Sequence, residues 1–147
     1  MSFRARIVQV RSLPARSPIS YGSDVFTCRE TRLGIIPVGY GHGLSRAYSG
    51  RGSVLCHGRN VPILGRVTMD MTMIDVSSIP AARVGDEVVL FGRQGSAEIA
   101  VAEVAEKIGA IGYEVLCGIS KRVVRVYRRN GGVQSMRGLT GARSTTA

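Results

Sequence analysis

Residues 53–66 read SVLCHGRNVPILGR, and this stretch decides the fold class. Ser53 to Cys56 and Arg59 to Arg66 are short runs rich in apolar residues, and they bracket His57-Gly58, a pair suited to a tight reversal. The pattern predicts a β-hairpin. The same pattern of short runs broken by turn residues continues outward on both sides. Downstream, Met69 to Val76 is another β run, and Val84-Gly85-Asp86 is a turn into Glu87–Phe91. Upstream, Arg4 to Arg11 alternates polar and apolar side chains, as a strand with one buried face does. Pro14 to Pro18 reads as a turn. Val25 to Val38 is strand-rich and ends at Pro37, and Gly39-Tyr40-Gly41-His42-Gly43 is a loop freed from regular structure by alternate glycines. One helix stands out near residues 99–108. Val101, Val104, Ala105 and Ile108 form an apolar stripe, Glu103 and Lys107 pair on the other side, and Gly109 supplies the stop. A last strand is expected from Ile119 to Tyr127. The sum is a mainly β domain over residues 1–127, with seven to nine short strands and one helix. A small barrel-like sheet, closed or partly open, would hide so many edges. Residues 128–147 are basic and rich in Gly, Ser and Thr, and read as a mobile tail.

The 147 residues suit one domain plus a tail, and 44% hydrophobic with 20% charged residues describes a folded soluble chain. A domain of this size buries roughly two thirds of its unfolded surface, so it needs no disulfides. No apolar run approaches the ~20 residues of a membrane helix. The N-terminus lacks the apolar stretch of a secretory leader. The three cysteines, Cys28, Cys56 and Cys117, are widely spaced with no Cys-x-x-Cys. With only two histidines beside them, a disulfide framework and a metal site both fit poorly, and the reduced cytoplasm is the expected compartment.

The charge is uneven. Lys and Arg total 20 against 10 Asp and Glu, and 18 of the 20 are Arg. No acidic residue follows Glu114, while Lys121, Arg122, Arg125, Arg128, Arg129, Arg137 and Arg143 do. A basic excess points to nucleic acid as one possible partner, although 5% aromatic residues and no Trp leave few stacking platforms. The plainer reading is a basic surface without a fixed partner. No GxSxG, HExxH or phosphate-loop motif is present. Taken singly, Tyr21 is an ordinary half-buried tyrosine before a turn, and Met69-Asp70-Met71 is core methionine around a surface carboxylate.

Taken in order, the segments carry more. They are Ser20-Tyr21-Gly22; Ile36-Pro37-Val38-Gly39-Tyr40-Gly41-His42-Gly43; Arg46; Pro62 through Asp70; Val84-Gly85-Asp86-Glu87-Val88; Gly112-Tyr113-Glu114-Val115-Leu116-Cys117; and Arg122 through Tyr127. Over about residues 4 to 127 this series closely resembles the C-terminal domain of alanine racemase, the pyridoxal-phosphate enzyme that interconverts L- and D-alanine. Family members join a cofactor-bearing N-terminal (β/α)₈ barrel to a mainly β second domain, and only the second is represented here. Of the two lysines, Lys107 lies on the polar face of the helix and Lys121 beside Arg122. Neither suits a covalent link to the cofactor. The resemblance therefore implies a domain that is inactive alone and binds no pyridoxal phosphate by itself.

It also implies roles. Racemisation uses a base on each face of the α-carbon; one is the cofactor lysine, and the other falls on Tyr21. Tyr40 and Met69 are the implied substrate-binding residues, Met69 through its main-chain N–H. Arg46, Arg66 and Asp70 line the substrate entrance, and Tyr113 reaches the cofactor phosphate. Tyr21, Tyr40 and Met69 would serve the partner subunit's site and Tyr113 its own, so the implied enzyme is a homodimer with shared sites. Two positions depart from the family pattern. His42 stands where Tyr-Ala-Asp-Gly has its Asp, and Thr68 stands where Cys is usual. The first leaves the amino-acid substrate open, serine included. Two readings from other classes stand beside this one: a small basic β-barrel that binds RNA or DNA, and an assembly domain without chemistry.

Overall fold

The computed structural model describes residues 1–20, 22, 25–130, 132–139 and 141–144. In chain order the elements are β1 (Phe3–Arg6), β2 (Gln9–Leu13), β3 (Pro18–Ile19), β4 (Val25–Phe26), β5 (Thr31–Ile36), β6 (Ser53–Cys56), β7 (Arg59–Leu64), β8 (Thr72–Asp75), β9 (Glu87–Gln94), β10 (Ala97–Ile99), α1 (Val101–Ile108), α2 (Gly112–Cys117), β11 (Arg125–Arg129), β12 (Gly132–Gly138) and β13 (Gly141–Ser144). The fold is mainly β. Its main sheet runs β1-β9-β6-β7-β8-β5-β2, with β10 also on β9, and its strand pairs are antiparallel.

The hairpin at the centre forms as the sequence dictates. β6 and β7 pair from Ser53↔Pro62 to Cys56↔Arg59. His57 and Gly58 both take positive φ, 50° and 70°, the twist a two-residue reversal needs. Beside it, β9 lies between β1 and β6 and buries Val88, Val89, Leu90 and Phe91 in succession, because both of its faces are covered. Helix α1 lays Val104 and Ala105 into the same core and ends at Gly109 with φ 69°.

Several expectations need correction. The N-terminal segment is two strands with a break at Ile7–Val8. The Ile7 N–H donates to the Asp86 carbonyl, while the Val8 N–H donates to the Ile35 carbonyl. The chain thus passes from one edge of the sheet to the other, and β1 and β2 do not pair with each other. The sheet is not a closed barrel, since its end strands β1 and β2 stay unpaired with each other. Strands are more numerous than the expected seven to nine, with thirteen among the described residues. A second helix, α2, covers 112–117. It is too short for an apolar stripe and buries only Val115. The Ile119–Tyr127 strand starts late, at Arg125, and runs on to Arg129. Beyond it, where the sequence reads as a mobile tail, β12 and β13 complete a three-stranded antiparallel sheet with β11. No helix among the described residues is long and apolar enough to cross a membrane.

Candidate functional site

Strand β5 stops at Ile36 because Pro37 cannot donate to a ladder. The following chain folds into a 3-10 turn, Tyr40–His42, that is tied by its backbone to a second loop. The Tyr40 N–H donates to the Thr68 carbonyl and the Gly41 N–H to the Met69 carbonyl, both at 2.9 Å. Only glycine allows this approach at position 39, where a Cβ would lie 2.0 Å from the Thr68 oxygen. The second loop closes on itself at Thr68, whose hydroxyl donates to the Met71 carbonyl (2.9 Å) and accepts the Met71 N–H (3.1 Å). Met69 and Asp70 form the tip of this turn. Met69 is half exposed, so the core-methionine reading is wrong for its side chain. Its amide N–H meets no acceptor among the described residues.

A third turn, Arg46–Tyr48, brings Arg46 to the same place. Tyr48 anchors that turn: it is fully buried, its phenol is pushed up by burial, and its hydroxyl donates to the Ser53 carbonyl (3.3 Å). Ser49 then joins two loops, donating to the Arg46 carbonyl at 2.5 Å and accepting the Val67 N–H at 2.9 Å. Ser20 donates to the Arg66 carbonyl at 3.0 Å from the other side. Together these bonds shape an open cavity of about 750 Å³ lined by Tyr40, Arg46, Arg66, Val67, Thr68, Met69, Asp70 and Met71.

Five residues singled out in the sequence, Tyr40, Arg46, Arg66, Met69 and Asp70, therefore share one cavity. Tyr113 does not join them. It lies on α2 and is 79% exposed. Tyr21 lies outside the described residues, although its chain neighbour Ser20 is bonded to the cavity's Arg66 segment. Sequence reasoning missed Ser49 and Arg122. Serine at a turn carries no visible signal of bridging two loops. Arg122 was read as part of a strand, whereas it sits in a bend, and its guanidinium pairs with Asp70 at 2.9 Å.

The departures have local explanations. The His42 ring accepts the Gly39 N–H through Nδ1 (3.3 Å), so it performs the acceptor role open to a carboxylate without adding a negative charge. Thr68 holds its turn with a hydroxyl. The cavity lining carries two arginines and one aspartate beside the loop whose Met69 N–H meets no acceptor among the described residues. The Lys107 ammonium is bonded to Glu103 at 2.7 Å, and that bond foremost holds its pKa above the ordinary value. Lys121 is exposed and lines no part of the cavity. Among the described residues no group of His, Cys, Asp and Glu is placed to hold a metal ion.

The family model for the alanine racemase C-terminal domain matches residues 1–127. An alanine racemase of Halothermothrix orenii is 48% identical over 128 residues, which are 87% of this chain and 34% of that protein. The solved alanine racemase of Bacillus anthracis with bound L-Ala-P superposes with a TM-score of 0.88 at 36% identity, covering 95% of this chain and 35% of that one. The Bartonella henselae alanine racemase with covalently bound pyridoxal phosphate gives a TM-score of 0.76 at 28% identity, over 81% of this chain and 32% of that one. The chain thus spans about a third of the length of the relatives it matches. With the family match running over residues 1–127 and the fold shared across most of its length, the chain belongs to the alanine racemase C-terminal domain family.

Proposed function

We propose that this chain is the C-terminal part of a cytoplasmic, homodimeric alanine racemase that interconverts L- and D-alanine for cell-wall precursor supply, and that it contributes residues to an active site completed by an N-terminal barrel domain. The observation that carries the reading is the convergence of Tyr40, Arg46, Arg66, Met69 and Asp70 on one cavity from three separate loops. Pyridoxal phosphate, carried by the barrel domain, supplies the electron sink for the substrate carbanion.

The chain's own residues do the rest. The Met69 N–H binds the substrate carboxylate, as a backbone donor can without a special side chain. The Tyr40 ring narrows the approach, and Arg46, Arg66 and Asp70 set the charge outside it. Tyr21 holds and moves a proton at its phenol oxygen on one face of the α-carbon. A free phenol has a pKa of about 10, so Tyr21 needs cationic neighbours to favour the phenolate, and most of these belong to the barrel domain. Tyr113 would hold the cofactor phosphate through its hydroxyl. Its position outside the cavity supports the reading that it serves one subunit's site while Tyr21, Tyr40 and Met69 serve the other's.

The test is expression of the complete reading frame beside residues 1–147 alone, each supplied with pyridoxal phosphate and followed for D-alanine production from L-alanine. The two-domain protein should racemise alanine and the isolated chain should not. A complete protein that racemises no alanine contradicts the proposal.

A further inference from the structure

The Arg122 guanidinium spans three segments. Its Nη1 lies 2.9 Å from Asp70 Oδ1 at the tip of the 68–71 turn, with the two side chains 43% and 51% exposed. On the way it crosses Gly41, where a Cβ would lie 2.7 Å from the same Nη1. Gly41 in turn donates its N–H to the Met69 carbonyl. The bend that carries Arg122 is itself fixed. The Arg122 N–H donates to Ser120 Oγ (3.2 Å), and the Ser120 N–H donates to the His42 carbonyl (3.3 Å). One side chain, rooted just past α2, thus holds the acidic tip of the turn against the Tyr40 loop.

The charge arrangement makes this more than a tether. Asp70 follows Met69 directly, and both line the cavity whose Met69 N–H is assigned to the substrate carboxylate. Unpaired, a carboxylate in that lining would disfavour an anionic ligand, since like charges repel within one cavity. The Arg122 cation offsets it.

We propose that Arg122 is a positioning residue for the substrate cavity, holding Asp70 away from, and electrically masked toward, the carboxylate bound at the Met69 N–H. The inference rests on the racemase reading. In the complete enzyme, Arg122→Gln should raise KM for L-alanine by about two- to fivefold, the scale of a partly exposed ion pair, and by more than it lowers kcat. Arg122→Lys should restore part of the loss. Adding Asp70→Asn to Arg122→Gln should bring KM back toward the parent value, which a purely structural tie would not do. A KM unchanged in Arg122→Gln, or a double variant as impaired as the single one, overturns the inference. In residues 1–147 alone, Arg122→Gln should also speed hydrogen exchange at the Gly41 and Met71 amides, and unchanged exchange there overturns it independently of activity. An inactive parent enzyme defeats the racemase reading instead, so the two failures are distinguishable.

Discussion

Ser49 accepts the amide N–H of Val67 at 2.9 Å while its hydroxyl donates to the Arg46 carbonyl, so one small side chain sets the spacing of two cavity walls. Val67 is 1% exposed, and its N–H has no water to turn to. Ser49→Ala should therefore cost about 1–3 kcal/mol, the penalty of a buried donor left without a partner. Urea denaturation of residues 1–147 measures it, and Ser49→Thr, which keeps the hydroxyl, should lose less. Equal stability of the Ala variant and the parent would remove Ser49 from the account.

The Tyr40 loop depends on Gly39 by sterics alone. Its φ of −148° is open to any residue, but a Cβ would meet the Thr68 carbonyl oxygen at 2.0 Å and the Met69 oxygen at 2.6 Å. Both are backbone atoms that cannot swing aside. Gly39→Ala should cost about 3 kcal/mol, at the upper end of overpacking penalties. Gly95 is the contrast, with φ 61° and nothing within 4 Å of its added Cβ. Gly95→Ala should cost about 1 kcal/mol, the left-handed backbone penalty alone. Thermal unfolding of the pair tests the difference, and equal losses would contradict it.

The hairpin tip carries a pH-dependent contact. His57 Nε2 lies 2.6 Å from Asp86 Oδ2, and the Arg83 N–H donates to the same oxygen at 3.0 Å. Burial pushes the Asp86 carboxyl up, but the Arg83 N–H, the His57 ring and the Arg83 guanidinium outweigh it and hold the group below the usual carboxylate range. A lowered folded-state pKa stabilises the protein above the unfolded value, about 3.9, and this contribution is lost as pH falls through the folded value. Asp86→Asn should thus be less stable than the parent at pH 7, with the gap narrowing below about pH 4. Urea midpoints from pH 7 to pH 2 measure it. A constant gap over that range would show that Asp86 ionisation contributes nothing.

The elements that could be read from the sequence were those with local chemical instructions. His57-Gly58 specified a reversal, and Val101, Val104, Ala105 and Ile108 specified a helix face. Residues at the cavity were found by order and spacing, because each loop carries its own short motif. The rest depended on contacts between segments distant in sequence. Nothing local bends the chain at Ile7–Val8; the bend follows from pairing with β9 on one side and β5 on the other. Helix α2 has no capping side chain and one buried residue. The β11–β12 reversal did have a signal, Asn130-Gly131, a favoured hairpin pair that the polar composition of the segment masked; Asn130 adopts φ 50°. Arg122 looked like strand sequence because its role depends on Asp70, 52 positions away in the numbering.

Lysine chemistry gives a test on the isolated chain. Lys107 is engaged by Glu103 and held charged, and a protonated amine does not attack an aldehyde. Residues 1–147 mixed with pyridoxal phosphate and treated with borohydride should show no stoichiometric label on Lys107 or Lys121 by mass spectrometry. A single labelled lysine at one equivalent would contradict the view that the cofactor is carried by another domain.

Tyr21 is the residue on which the account turns, and Tyr21→Phe in the complete two-domain protein tests it most directly. The change keeps the aromatic ring and removes one proton-transfer partner. Such a loss should cost about 10²–10⁴-fold in rate, the usual range for a positioned acid or base. Net racemisation must fall equally in both directions, because the equilibrium constant is fixed. Isotope washout should nevertheless be lopsided, with exchange of the L-alanine α-proton suffering most and exchange from D-alanine retained in larger part. A Phe variant that racemises alanine at the parent rate, with symmetric washout, would show that Tyr21 is not the second base.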